Sequence, residues 1–269
     1  MCNKGQASSF MIIGLTIVIM LGLLTFWMSA SQEGSLGSND LMTFNQKLEI
    51  VKNTVEQCMQ EAGEPGLYKI AAQGGMIDKD GRDSIEYKDF KILYWNNGKR
   101  DISPSLEEIE KELSEYIFEK TIDCLPDYVS EGYIVDFQSA DLIAIIDDED
   151  VKISLYLPIE VKAADTSGKV SSFNIELNNN FGKSLNAAYL LIKNIVDSNN
   201  LFSISKICDH FQINEVSRIL PITFIGQPLN KVQIISIIDY EPYFKERQKV
   251  LTLNFALRNM TVIGYCNDI

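Results

Sequence analysis

Between Phe10 and Met28 the chain is uncharged and apolar, a run of about 19 residues whose only polar members are Thr16 and Thr25. At about 1.5 Å of rise per residue, a helix of that length crosses the hydrocarbon core of a bilayer. Lys4 precedes the run, and Glu33 and Asp40 follow it. By the positive-inside rule the amino terminus stays in the cytoplasm and the body lies outside. Ser29 to Asn39 is rich in Ser and Gly and reads as a tether. The pattern then becomes helical. Leu41, Phe44, Leu48, Val51, Val55, Cys58 and Ala62 recur at spacings of three and four, a single apolar stripe on a helix. Asp40 is placed to cap its start, and Gly63 with Pro65 to stop it.

Gly74-Gly75 and Asp80-Gly81 then punctuate a hairpin region, and Ser84 to Leu93 contains an alternating stretch. Ser103 as N-cap and Pro104 at the first helical position predict a second helix. Glu107, Glu108 and Glu110 load its electropositive end. Its inner face is Leu106, Ile109, Leu113, Ile117 and Cys124, and Pro126 ends it. From Tyr133 the pattern favours strands at Tyr133 to Phe137, Leu142 to Ile146 and Val151 to Leu157. Asp147-Asp148-Glu149-Asp150 forms a turn, and Pro158 marks an edge or a strand end. Val170 to Leu177 continues the meander, and Leu185, Ala188, Ile192, Ile195 and Val196 share one face of a third helix. Strands return at Ile222 to Ile225, Val232 to Ile238 and Val250 to Leu257.

Helices and antiparallel strands are segregated along the chain, so the expected fold class is α+β rather than a doubly wound sheet. A helical and hairpin subdomain is expected over 40–130, and a mainly β subdomain with one helix over 131–269. The formal net charge of −13 argues against nucleic acid as a partner and against docking to anionic lipid. Of five cysteines, Cys2 precedes the apolar run, leaving Cys58, Cys124, Cys208 and Cys266 outside the membrane. Four cysteines allow three connectivities. The pairs Cys58–Cys124 and Cys208–Cys266 are favoured because each lies within one half of the chain. Each closes a loop of about 60 residues, for which chain entropy gives roughly 4 kcal/mol. Four buried free thiols are the alternative.

Candidate chemistry is sparse. The single histidine, His210, lies beside Asp209 and Cys208, but a local triplet supplies neither an oxyanion hole nor an oriented triad. No catalytic residue is assigned, and no cofactor is expected. Asp78, Asp80 and Asp83, with Glu86 beyond, are weak calcium candidates; they lack EF-hand spacing, and Arg82 sits among them. Asp147 to Asp150 offers a second set of oxygens. Both clusters read more simply as solvated turns. Gly74-Gly75 suits a turn or close packing, because no Lys-Ser/Thr follows to build a phosphate cradle. Asn259-Met260-Thr261 is a weak N-glycosylation sequon.

Lys4-Gly5-Gln6, followed by Ala7-Ser8-Ser9 and the apolar run, resembles the class III signal peptides of archaeal type IV pilins and pilin-like proteins. The resemblance covers the N-terminal segment alone. It implies a cytoplasmic leader over 1–5, cleavage by a prepilin peptidase between Gly5 and Gln6, and a transmembrane, pilin-like packing helix over 6–28. Many pilins carry a glutamate five residues into the mature chain; Phe10 stands there. That departure suits a minor, tip-located or membrane-resident pilin-like protein better than a bulk filament subunit. The order of helix, cysteine, Gly-Gly, helix and cysteine is similar to that of uncharacterised single-anchor proteins of small-genome archaea. Ser29-Ala30-Ser31 would also suit signal peptidase, although the apolar run exceeds the usual signal-peptide core of about 7–15 residues.

The expectation is therefore a single-pass cell-membrane protein, cytoplasmic at its amino terminus, with a disulfide-stapled extracellular domain. It would act as a pilin-like structural or adhesion protein through membrane lipid and pilin-like or cell-surface protein partners. The alternative is a membrane-tethered extracytoplasmic hydrolase or ligand-binding protein.

Overall fold

The computed structural model describes residues 44–77, 81–87, 89–98, 100–125, 133–163, 166–198, 201–203, 222–227, 232–239, 251–258 and 261–263. The apolar run, Gly5 and Gln6 lie outside them, as do Asp78, Asp80, Cys208, His210, Asn259 and Cys266. Among the described residues no helix is long and apolar enough to cross a membrane. The chain divides into two compact units, Met1–Lys47 and Leu48–Ile269. The second holds all the described secondary structure except the first turn of helix α1 (Phe44–Ala72).

Helix α1 turns Val51, Val55, Cys58, Met59, Ala62, Leu67 and Ile70 inward. It runs well past the expected stop at Gly63, with Pro65 inside it. The two glycines serve packing instead. A Cβ at Gly63 would lie 3.0 Å from Leu177 Cδ1, and one at Gly66 only 2.7 Å from Tyr116 Cδ1. The helix ends where Gly74 takes φ of 82°. Gly74 N–H donates to the Ala71 carbonyl at 3.2 Å and Gly75 N–H to that of Ile70 at 2.8 Å, the paired bonds of a Schellman cap.

Strands β1 (Ser84–Tyr87) and β2 (Phe90–Leu93) form the expected antiparallel hairpin. Helix α2 (Leu106–Cys124) is capped by Ser105, not Ser103: Glu108 N–H donates to the Ser105 hydroxyl, and the Glu108 carboxylate accepts from Ser105 N–H. The Ser-x-x-Glu pair satisfies two helix-end N–H groups at once, which Ser103-Pro104 cannot. Ser103 is held instead by the Asp101 carboxylate. Ile109, Leu113 and Ile117 are fully buried, contributing about 1.5–3 kcal/mol each. Leu106, expected on that face, is exposed. Cys58 and Cys124 form a disulfide that joins α1 to the end of α2, with Cα atoms 5.9 Å apart.

The main sheet is antiparallel and four-stranded: β3 (Tyr133–Val135), β4 (Asp141–Ile146), β5 (Asp150–Ala163) and β6 (Thr166–Asn178). Strand β6 lies along one edge of β5, while β4 and β3 follow one another along the other. Strand β5 continues through Pro158, where its register against β6 slips between Tyr156 and Ile159. A bulge accommodates a residue that cannot donate to the ladder, so Pro158 sits within a central strand rather than at its end. Val151, Ile153, Leu155, Leu157, Ile159 and Val161 alternate along the buried face of β5.

Helix α3 (Phe181–Asp197) starts on the acidic β4–β5 turn. Lys183 Nζ meets the Glu149 carboxylate at 2.6 Å, and Asn186 donates to Asp148 at 2.9 Å. Negative charge beside a helix N-terminus is favourable, and this contact fixes the turn. Beyond it, β7 (Leu201–Ser203) pairs in parallel with β11 (Thr261–Ile263), a pairing the hydrophobic pattern gives no sign of. Strands β8 (Ile222–Gln227), β9 (Val232–Asp239) and β10 (Leu251–Arg258) make an antiparallel sheet. Trp95 is fully buried between helix and sheet, stacked on Tyr189 at 5.3 Å and Phe255 at 4.6 Å. Its indole N–H donates to the carbonyl of Gly74, so the end of α1 is tied to the same aromatic cluster. The fold is α+β with antiparallel sheets, one parallel β7–β11 pair and the Cys58–Cys124 staple.

Candidate functional site

Strand β4 is an edge strand, and an edge presents unpaired N–H and C=O groups to other chains. Here α2 closes it. Ser114 Oγ donates back to the Glu110 carbonyl at 2.6 Å and accepts from Ala144 N–H at 2.8 Å. The Glu110 carboxylate accepts from Ile146 N–H at 2.9 Å. Two side chains one turn apart on α2 thus occupy two successive outward N–H groups of β4. Leu142, Ala144 and Ile146 turn inward beneath them.

The same arrangement leaves an open groove of about 430 Å³ between α2 and β4. Phe118, Ile143 and Ile145 line its apolar part; Glu107, Glu110, Glu115 and Asp141 supply carboxylates, and Lys111 a cation 3.8 Å from Glu115. Ile143 is 54% exposed and Ile145 49%. These two face outward because the alternation that buries Leu142, Ala144 and Ile146 sends the intervening residues to the opposite side. Across the sheet this outer face becomes polar: Ile143 pairs with Ser154 and then Asn174, and Ile145 with Lys152 and then Glu176. Exposed Tyr156, opposite Asp141, extends the apolar patch beside the groove, and Ile134 of β3, opposite Glu160 and also exposed, adds to the same face.

The N-terminal wall of the groove is electrostatically secured. Backbone donation from Ser105 holds the Glu108 carboxyl below its ordinary range, and Arg82, which bonds the same carboxylate, adds to it. Tyr189, by contrast, is pushed well above the ordinary phenol value by burial, with nearby Asp101, Glu108 and Glu110 adding to the effect. Its hydroxyl donates to the Pro104 carbonyl at 2.8 Å, tying α3 to the approach of α2.

Of the residues singled out in the sequence, Cys58 and Cys124 are brought together. The Asp83 carboxylate pairs with Arg258 at 3.0 Å, while Asp78 and Asp80 lie outside the described residues. The Asp147–Asp150 cluster is a turn pinned by Lys152, Lys183 and Asn186. Among the described residues no group of three or more His, Cys, Asp or Glu is placed to hold a metal ion. The groove was missed because it depends on contacts 30 and 36 residues apart in sequence. One signal was available. Leu142 to Ile146 is apolar without alternation, so an edge strand built from it must be apolar on both faces. No family model, curated protein or solved structure matches the chain.

Proposed function

We propose that this chain is a single-anchor, extracytoplasmic pilin-like surface protein whose outer domain works through protein contacts. The observation that carries the contact role is the half-exposed Ile143, Ile145 and Tyr156 beside an edge closed to strand pairing. Such a grouping of exposed apolar side chains is the usual mark of an interaction surface. The Cys58–Cys124 bond supports the compartment, since structural disulfides persist in oxidising surroundings. Lys4-Gly5-Gln6 and the apolar run support the anchor and its processing by a prepilin peptidase.

The test is made on the full chain expressed with a prepilin peptidase. Mass spectrometry should find an amino terminus at Gln6 in the membrane fraction, and non-reducing alkylation should find Cys58 and Cys124 blocked. An amino terminus at Ser31 or Gln32 in the soluble fraction removes the anchor. Free thiols at both positions remove the extracytoplasmic assignment.

A further inference from the structure

We propose that the groove between α2 and β4 receives a basic peptide segment of a partner protein, with an apolar side chain seated between Phe118 and Ile143 and Lys or Arg flanking it. This deepens the function proposed for the outer domain and rests on its premise that the domain acts through contacts.

Three features select this occupant. First, the groove's carboxylates outnumber its one lysine four to one, so it attracts cations and repels anionic lipid or nucleic acid. Second, the β4 edge cannot be extended by a strand. Ser114 and Glu110 already accept from Ala144 and Ile146 N–H, so an incoming chain must be held by side chains. Third, a second copy of this chain is disfavoured. It carries the same formal charge of −13, and like charges brought opposite one another across an interface are costly. The volume also lies in the range of binding pockets, roughly 300–1,000 Å³.

The partner is thus defined by chemistry: a lysine- or arginine-bearing segment with an aliphatic or aromatic anchor. Its hold is part apolar and part electrostatic, so its affinity falls with salt without vanishing. Neither contribution alone reproduces it.

The experiment uses the full chain in nonionic detergent and a fluorescein-labelled ten-residue peptide of alternating Lys and Leu, read by fluorescence anisotropy. Companion peptides replace Lys with Glu or Leu with Ser. Charge reversal on the groove, Glu107→Lys with Glu115→Lys, is compared with the same change elsewhere, Glu61→Lys with Glu86→Lys. Ile143→Ser tests the apolar seat, and circular dichroism checks that each variant is folded. Groove reversal and Ile143→Ser should each weaken binding about tenfold or more, while the distant reversal changes it no more than about twofold. Both companion peptides should bind at least about tenfold more weakly. Equal weakening by the two charge reversals, or none by either, overturns the proposal, as does full binding of the Leu→Ser peptide. Self-association abolished by groove reversal, with no peptide bound, assigns the groove to a second copy and also overturns it. The amino-terminal mass and thiol measurements do not depend on this groove, so the two readings fail separately.

Discussion

Removing the Cys58–Cys124 bond tests how the two helices that frame the core are held together. The perturbation is Cys58→Ala with Cys124→Ala, which leaves Cys208 and Cys266 in place. The bonded residues are 66 apart in sequence. Loop-closure entropy of −2.1 − 1.5R ln n then gives about −15 cal/mol/K for the unfolded chain, or about 4 kcal/mol at room temperature. The native helices have other contacts: Gly66 packs against Tyr116 and Leu113, and the Lys69 ammonium lies 5.0 Å from the Tyr116 ring centroid. The folded structure should therefore persist, with the loss expressed as easier unfolding. For a domain of this size about 1 kcal/mol corresponds to about 2–4 °C, so Tm should fall by about 8–16 °C. Thermal unfolding followed by circular dichroism reads the shift. The near-ultraviolet signal, to which Trp95 contributes within its stack on Tyr189 and Phe255, reports whether the native core is intact. A fall of less than about 4 °C refutes the entropic argument. A loss of the near-ultraviolet signal before heating refutes it differently, by showing that the bond holds the native packing itself.

At Gly182 an added Cβ would stand 2.2 Å from the Asp147 carbonyl oxygen, so Gly182→Ala must push the acidic turn off the start of α3. We expect a loss of about 2–3 kcal/mol in urea titration, and an unchanged midpoint would sink the argument. Ser114→Ala leaves Ala144 N–H without its acceptor, expected to cost about 1–2 kcal/mol and to raise strand-edge association in light scattering. An equally stable, monodisperse variant would show that the edge does not need this cap. Glu108 has a folded pKa below its unfolded value of about 4.3, so its contribution is present above that pH and lost as pH falls through the folded value. Glu108→Gln should therefore flatten the acid limb of the stability curve, and an identical limb in both proteins would refute the assignment.

Local grammar identified most elements and mislaid the features that depend on distant contacts. The alternation of Leu251, Leu253 and Phe255 marks β10, and all three side chains are buried there. The stop expected at Gly63 and Pro65 failed because the glycines on either side of the proline answer to neighbours far along the chain. Gly63 makes room for Leu177 and Ile153, and Gly66 for Tyr116. Nothing within one helical turn distinguishes a glycine that ends a helix from one that admits a partner. Gly74 does end it, and the clue lay in the glycine pair already seen as punctuation. Pro158 misled for a related reason: a bulge against β6 absorbs its missing donor, and that register is set by pairing across the sheet. The disulfide was legible because Cys58 and Cys124 lie within one half of the chain, each on the apolar stripe expected of an amphipathic helix. The groove was not, because Ser114 and Glu110 gain their meaning only when β4 is laid beside α2.

That juxtaposition also bears on how tightly the groove could bind. Its helical wall is fixed at both ends and in the middle. Ser105 and Arg82 hold the start of α2 through Glu108, Ser114 and Glu110 bond it to β4, and Cys124 bonds its last turn to α1. Its strand wall is fixed by the full β4–β5 ladder, closed at the turn by Asp147 N–H donating to the Asp150 carbonyl at 2.9 Å. An incoming segment therefore meets walls that need little ordering, and the entropy lost on binding falls mainly on the ligand. The disulfide is accordingly more than a staple. It secures the end of α2 nearest Phe118, the residue proposed to seat the apolar anchor. Reduction should loosen the Phe118 end of the site before the Glu107 end, because Glu107 lies at the capped end and Phe118 lies within two turns of Cys124.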